Sequence, residues 1–533
     1  MQQKISLPSD LHGLHFHFVG IKGTGMAALV EIFVHNGAII TGSDVSERFY
    51  TDEILEKLNI KALPFAAENI NDSVQFVVYS SAYKLDVNPD LIEATKRGIP
   101  CLLYTEALGA YSARAFSCGI CGVHGKTSTT GLVGTILKEI DDLPSQVLAG
   151  SVINSFGGTC TYTSQLVNEI SSSGENLSLS GLTRQSLHHS PQQSIFVAET
   201  CEYQRHFMSF CPQKIILTSV ESDHEDYYPT YESIRDAFVD YVCKLPEGGE
   251  LIYCADDKGA VEVAEIVQGK RNDIKLIPYG LKAVGEYKLT YDGVKNEKNC
   301  FSVKLFEDKS GAGAGEVFAL SLPGKHEVLD ANAALALVCQ LLRTYGKNPL
   351  DYKENIARGL LNFSGGKRRS EIVGNFKTKN GDDVLVIDDY GHHPTAIKTT
   401  LAGYRDFYKN RKIIVDFMSH TYSRTQALFE DFASSFDSAD VIILNKIYSS
   451  ARENPGDFSI TGKKLYDQVV KNYPDKTVKY FEEILDGTDF VLAQINEKTG
   501  QEYRAGYLFI TMGAGDNWKI GRKVLEIAEN NRN

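Results

Sequence analysis

Short apolar runs recur along the chain, each followed by a polar or glycine-rich turn and then a stretch with helical spacing. That order predicts repeated parallel α/β units. Ligands in such folds gather at the carboxyl ends of the strands, so the residues after each run are the places to read for chemistry. Gly20-Ile21-Lys22-Gly23-Thr24-Gly25 follows the run 15–19, and Ser80-Ser81 follows 75–79. Gly122-Val123-His124-Gly125-Lys126-Thr127-Ser128 follows 115–121 and leads into a helix-like run at 129–140. Glu199 follows 195–198, and Asp223-His224 follows 215–220. In the last third, Asp388-Asp389-Tyr390-Gly391-His392-His393 follows 384–387, His420 follows 413–417, and Gly513-Ala514-Gly515-Asp516 follows 507–511.

These ends fall into three groups, which predicts three α/β domains at 1–114, 115–362 and 363–533. The first is a Rossmann-like nucleotide-type unit, the second carries a phosphate loop, and the third is a Rossmann-like unit holding the Asp-His-His turn. Residues 162–193 are rich in Ser, Gln and Asn without a period and read as a surface insertion, and 307–315 as a hairpin loop.

In the loop 122–128, glycines let backbone N–H groups crowd around phosphate oxygens, and the following helix points its positive end at the same place. Lys126 supplies a charge for the β/γ-phosphates and Thr127 a hydroxyl for magnesium. The loop is shorter than the general G-x-x-x-x-G-K-[ST] form, since Ile120 stands where that pattern wants Gly. Glu199 is placed as a second magnesium ligand, hydroxyl and carboxylate oxygens being the hard donors that ion takes.

The first loop, Gly23-Thr24-Gly25-Met26-Ala27-Ala28, matches a dinucleotide fingerprint, with Asp44 19 residues beyond Gly25. On spacing alone it fits a nicotinamide dinucleotide, a uridine diphosphate or a tight turn. His224 fits a second metal ion, a phosphate contact or a cap. Gly365-Gly366-Lys367-Arg368-Arg369 fits a solvated turn or a cation source for phosphates.

Composition narrows the class of protein. A net charge of −13 over 533 residues argues against a nucleic-acid or acidic-membrane binder, whose footprint would be basic. No secretory run opens the chain and no uninterrupted apolar span reaches membrane length, so a soluble cytoplasmic protein is expected. The 10 cysteines, with Cys118, Cys211, Cys254 and Cys339 in apolar runs expected to be strands, fit buried thiols in a reducing compartment. Cys118 and Cys121 form a C-x-x-C with no second pair to complete a metal site.

Taken in order, these motifs resemble the ATP-dependent Mur ligases of peptidoglycan precursor synthesis over nearly the whole chain. The resemblance is carried by Gly20 to Met26, by the short G-x-H-G-K-T loop Gly122 to Thr127, by Asp223-His224 and by Pro323-Gly324-Lys325-His326. It continues through Arg368-Arg369-Ser370-Glu371, Asp388 to Pro394 and His420-Thr421-Tyr422-Ser423-Arg424. Asp389-Tyr390-Gly391-His392, and Val239 where other members carry a modified lysine, point to the alanine-adding branch.

The resemblance implies ATP, UDP-N-acetylmuramate and L-alanine as substrates, an acyl-phosphate route, and magnesium (two ions, manganese as a substitute). It implies catalytic roles for Lys126, His224, His392, His393 and Arg424, and metal ligation by Thr127, Glu199 and His224. ATP would meet Gly122 to Ser128, His326, Asp330 and Arg368; the uridine diphosphate end would meet Gly23, Thr24, Gly25, Met26, Asp44, Ser80 and Ser81. A cytoplasmic monomer or homodimer is implied.

The chain departs from the family pattern at three places. Lys22 stands where a glycine is usual, Glu327 and Asp330 replace the amides of an adenine segment, and Thr421 replaces an arginine. Three other readings remain at this stage: a recycling ligase that takes a murein tripeptide, an NAD-dependent oxidoreductase, and a degenerate, non-catalytic nucleotide-binding protein, which would explain Glu327, Asp330 and Thr421 together and predicts ATP binding without ADP release.

Overall fold

The computed structural model describes residues 7–8, 10–167, 194–224, 227–307, 317–449 and 453–530. Most of the expected insertion 162–193, and all but residue 307 of the expected hairpin loop 307–315, lie outside them. Tyr162 and Thr163, assigned above to the insertion, instead belong to the strand Thr159–Thr163, which pairs with Ser145–Ile153.

Every residue of the strand Phe116–Cys121 is buried, as a strand covered on both faces must be. It lies inside a seven-stranded sheet ordered Lys275–Tyr279, Glu250–Cys254, Lys214–Leu217, Phe116–Cys121, Ile195–Glu199, Ser145–Ile153, Thr159–Thr163. All neighbours pair in parallel except the last, an antiparallel edge. From Phe116–Cys121 the chain goes first to one side of the sheet and later to Lys214–Leu217 on the other. Strand order therefore reverses beside that strand, which opens a crevice at its carboxyl end.

The helix Lys126–Glu139 rises from this crevice, beginning at Lys126 rather than at residue 129 because Gly125, at φ 79°, turns the chain straight into it. Residues 127–137 are all buried. Lys353–Asn362 packs so closely on this helix that a Cβ on Gly359 would lie 2.6 Å from the Ile136 Cα.

Two more parallel sheets flank the middle one. The first is Ile39–Ser43, His15–Val19, Phe76–Tyr79, Cys101–Leu103. The other is Glu371–Lys377, Asp383–Asp389, Tyr507–Met512, Lys412–Phe417, Val441–Asn445, Thr477–Phe481, with an antiparallel first pair. The three-stranded antiparallel sheet of Leu289–Val294, Asn299–Val303 and Phe318–Leu320 was not foreseen as a separate element. Asp388 and Asp389 are the last residues of their strand rather than part of the turn after it. Of the cysteines expected in strands, Cys339 is on the helix Lys325–Thr344 and Cys211 is in the loop before Lys214–Leu217.

One hydrophobic cluster runs without a break from the first sheet into the middle one. The helix Thr24–His35 presents Phe33 to Tyr111, and Tyr111 meets Phe196 of the middle sheet edge-on at 5.0 Å. Separate clusters fill the two faces of the third sheet.

Crowding at the middle sheet is testable. A Cβ on Gly119 would collide with the Tyr241 hydroxyl, and overpacking of this kind costs about 1–3 kcal/mol. Gly269, exposed on the helix Lys258–Lys270, has nothing within 4 Å, so alanine there gains up to about 1 kcal/mol from helix propensity. Denaturation midpoints should rank Gly269→Ala above wild type and Gly119→Ala below it; an unchanged midpoint for Gly119→Ala contradicts the crowding.

Candidate active site

The phosphate loop is shaped by two glycines at positive φ, Gly122 (138°) and Gly125 (79°), and neither has room for a side chain. Val123 N–H donates to Ser219 O at 3.0 Å and His124 N–H to Ser219 Oγ at 2.9 Å, which stitches the loop to the end of the neighbouring strand. Lys126 bends back over the loop, donating to Gly122 O at 2.5 Å and Val123 O at 3.2 Å, and pairs with Glu202 at 3.0 Å. Burial opposes the ammonium charge, but Glu202, Cys201 and Glu199 together outweigh it and hold Lys126 above the ordinary lysine range. Burial likewise opposes the Glu202 carboxylate, and Lys126 reverses that effect.

Thr127 Oγ1 lies 3.1 and 3.0 Å from the two Glu199 oxygens, and Glu199 Oε2 also accepts from Gly150 N–H at 2.7 Å. His224 sits at φ 58°, with Nε2 3.4 Å from Glu202 Oε1 and its ring 4.7 Å from Tyr203. The carboxylate nearest His224 is therefore Glu202, a residue that the sequence analysis did not single out.

The third domain reaches this cluster at Asp223 and around Glu221. Arg424 pairs with Asp223 at 2.7 Å, both side chains nearly out of water. Burial would raise the Asp223 carboxyl, yet the Arg424 guanidinium holds it far below the carboxylate range. Glu221 bonds the His124 ring on one side and accepts from Thr395 Oγ1 at 3.1 Å on the other. His393 caps the helix Pro394–Phe407, its Nδ1 3.7 Å from Glu221 and its ring 5.2 Å from that of His124. Ligand atoms of His124, Glu221 and His393 all lie within 4.8 Å of one another. Glu221, like Glu202, was not singled out in the sequence analysis.

His392 Nδ1 donates to Tyr390 O at 2.8 Å, which leaves Nε2 as the bare acceptor. Burial, then Arg424, drives this imidazole well below its usual value, and the same causes put His420 at about 4. Arg368 is occupied elsewhere: it pairs with Asp388 at 2.8 Å and donates to Gly513 O at 2.6 Å and Gly515 O at 3.1 Å. Asp330 packs directly on Gly125 of the phosphate loop, while the His326 ring lies against Gly324, with Nε2 3.8 Å from Glu327.

The first glycine-rich loop faces the same junction. Gly25 packs against Tyr104, and Thr24 Oγ1 shares a hydrogen bond with Tyr50 at 2.5 Å. A cavity of about 180 Å³ joins Gly25 and Tyr104 to Gly150, Glu199 and Cys201. Met26 is buried in the core rather than at the loop surface, Ser80 Oγ accepts from Ala82 N–H, and Ser81 is exposed.

Asp44 accepts from the N–H groups of Lys22 and Val45, both at 2.7 Å, and from the Tyr83 hydroxyl at 3.2 Å. It shapes the loop from beneath, and its carboxyl is spent there rather than offered to a dinucleotide ribose. Lys22 pairs with Asp52 at 3.1 Å and donates to Glu47 O at 2.7 Å, so its charge braces the loop. Thr421, at φ 41°, caps the helix Tyr422–Ala427 by accepting from Arg424 N–H.

Three family models match the chain: "Mur ligase family, catalytic domain" at residues 15–116, "Mur ligase middle domain" at 120–338 and "Mur ligase, glutamate ligase domain" at 368–515. A curated relative, UDP-N-acetylmuramate–L-alanine ligase of Treponema pallidum (strain Nichols), is 43% identical over 519 residues, 97% of each chain. The crystal structure of UDP-N-acetylmuramate-alanine ligase from Thermotoga maritima superposes with a TM-score of 0.69 at 22% identity, covering 97% of this chain and 99% of that one. A murein peptide ligase from Psychrobacter arcticus gives 0.62 at 20% identity over 97% and 99%. At these identities the two structures bear on the fold alone.

The interdomain ion pair can be tested directly. Arg424→Met strands the buried Asp223 charge and should cost about 3–5 kcal/mol, most of it recovered in Arg424→Met/Asp223→Asn. Because the Asp223 carboxyl is depressed, the pair's stabilisation is complete above the ordinary carboxylate range and is lost only as pH falls well below it. Unfolding measured from about pH 7.5 to 9, above the range in which His392 and His420 respond to loss of Arg424, should show a constant difference between wild type and the double variant; a difference that changes across this window argues against the pairing.

Proposed function

The chain belongs to the Mur ligase family, and from that membership we propose how its residues divide an ATP-dependent ligation. The reaction joins L-alanine to the lactyl carboxylate of UDP-N-acetylmuramate in peptidoglycan precursor synthesis. The observation that carries the division of roles is the convergence of Lys126, Glu199, Glu202 and His224 with Arg424, which reaches them from the third domain through Asp223.

Domain roles follow that layout. Residues 1–114 hold the uridine diphosphate end at Gly23, Thr24 and Gly25, with Asp44 supporting the loop. Residues 115–362 hold ATP along Gly122 to Ser128, with His326 and Asp330 beside it, and 363–533 bring His392, His393 and Arg424. Met26 and Arg368 act in this reading as supports, the first in the core and the second under Asp388. The cavity between Gly25 and Glu199 is where the muramyl unit would run from one end to the other.

Amide formation at neutral pH needs an activated acyl group. The lactyl carboxylate attacks the γ-phosphate, giving an acyl phosphate and ADP; the alanine amine then adds to the acyl carbon, and phosphate leaves. The obstacle is the approach of an anion to a polyanion, so the protein's contribution is positioning and charge. Lys126 exchanges Glu202 for the β/γ oxygens. His392, its proton held on Nδ1, offers Nε2 to orient the amine. Arg424 and the surrounding turn cover the site and keep water from the acyl phosphate.

Thr127 and Glu199 fit a magnesium ion, since their oxygens are hard donors already held together by Gly150 N–H and by one another. A second ion would be held by His224 with Glu199 and Glu202, and manganese suits the same ligands. Divalent cations there would supply positive charge to the phosphate oxygens.

No helix among the described residues is long and apolar enough to cross a membrane. With the −13 charge, we read the enzyme as cytoplasmic, a monomer or homodimer, with no nucleic-acid or membrane partner.

Lys126→Ala should lower kcat by roughly 10²- to 10³-fold, as loss of a transition-state donor does. ADP release should require UDP-N-acetylmuramate and L-alanine together with ATP. Faster release with a murein tripeptide than with L-alanine would replace this reading by the recycling one, and no release with L-alanine, L-serine, glycine or tripeptide would sink it.

A further inference from the structure

Two acidic side chains stand against the phosphate loop, and among the described residues neither forms an ion pair with a lysine or arginine. Glu327 and Asp330, in the first turns of the helix Lys325–Thr344, are 5% and 7% exposed. Glu327 Oε1 accepts from Ser128 Oγ at 3.1 Å, and Glu327 Oε2 is buried with no hydrogen-bond partner. A Cβ on Gly125 would collide with Asp330 Oδ1. Both carboxyls thus lie under residues 125–128, the half-turn that receives the phosphates.

The groups facing them do not neutralise them. On the same helix, His326 Nε2 is 3.8 Å from Glu327, but burial pushes that imidazole down to about 4 and leaves it uncharged near neutrality. On the loop, Lys126 is paired with Glu202, His124 is bonded to Glu221, and Thr129 offers only a hydroxyl. From the third domain, Asp389 adds a like charge and Tyr404 stays neutral. Arg369 attracts both carboxyls, yet its guanidinium lies over the Tyr390 ring at 5.2 Å. Burial therefore dominates: Glu327 is pushed up to about 7, and Asp330 is raised well above the carboxylate range with Glu327 adding to it.

We propose that Glu327 and Asp330 serve as neutral acids, positioning residues that complete the nucleotide site only while they hold their protons, so that binding a nucleoside triphosphate takes up a proton from solvent. This rests on the Lys126 loop being the nucleotide site. An ionised carboxylate only accepts hydrogen bonds, and two of them beneath a polyanion repel it. A protonated carboxyl carries one O–H donor and one C=O acceptor, so like an amide it both donates and accepts. The proton thus reconciles the acids at 327 and 330 with the amides that the family resemblance leads one to expect. In the free protein Glu327 is partly ionised near neutral pH. Phosphate charge raises its proton affinity further, so uptake grows on the alkaline side and nucleotide affinity falls as pH rises through the Glu327 value.

Isothermal titration of the full chain with Mg²⁺ and the non-hydrolysable analogue AMP-PNP, in buffers of different ionisation enthalpy at about pH 8, reads this linkage. The expected result is uptake of roughly half to one proton per nucleotide and affinity that weakens toward about tenfold per pH unit above that point. Glu327→Gln should abolish most of the uptake and flatten the pH profile, with Kd at pH 7 within about threefold of wild type, as an amide of the same shape allows. Asp330→Asn should act in the same direction. Absence of uptake in the wild type overturns the proposal, whether or not the variants fold, and so does uptake that survives unchanged in both variants. Binding alone is measured, so a protein that takes up the proton yet releases no ADP with substrates counts against the ligase reading and not against this one.

Discussion

Arg424 and Asp223 meet across the junction of the middle and third sheets, 2.7 Å apart and almost wholly removed from water. A charge buried there is tolerable only with its partner in place, so the pair fixes how the third sheet presents its strand ends. The turn carrying His392 and His393 is brought over the phosphate loop by the same contact, and Glu221 repeats the arrangement by tying His124 to Thr395. Both links use residues of the segment just after the middle-sheet strand Lys214–Leu217.

Charge in the junction is arranged in exchangeable pairs. Lys126 rests against Glu202, which also neighbours His224, and Thr127 rests against both oxygens of Glu199. Each partner is of the type that phosphate or a divalent cation would displace, so the free protein keeps its reactive groups satisfied without blocking them. Lys22 and Arg368 differ: their partners are Asp52 and Asp388 with backbone carbonyls, and their charge braces local structure.

The loops were legible in the sequence because their requirements are local. Gly122 and Gly125 must be glycine to reach their φ values, and Lys126 and Thr127 must follow them in fixed order. Strand ends were legible to within a few residues, though Asp388 and Asp389 proved to be in their strand. What escaped was pairing over long separations. Glu202 and Glu221 were visible as letters, but nothing in the spacing said that one faces Lys126 and the other bridges to Thr395. Asp44 was read as a ligand contact, and nothing in its spacing said that its carboxyl holds the N–H groups of Lys22 and Val45 and the Tyr83 hydroxyl. Cys339 fell on a helix because a short apolar run does not distinguish a buried helix from a strand.

The unbroken core between the first and middle sheets bears on how a long substrate is measured. Phe33, Tyr111 and Phe196 interlock across the boundary, and close-packed interiors transmit displacement rather than absorb it. The loop at Gly25 and the carboxylate of Glu199 are therefore two marks on one rigid gauge, with the small cavity between them as its scale. In the proposed reading, a nucleotide-sugar held at Gly25 would reach Glu199 with its length already set. The third sheet, by contrast, has apolar clusters of its own and is joined to that block by the polar contacts at Asp223 and Glu221.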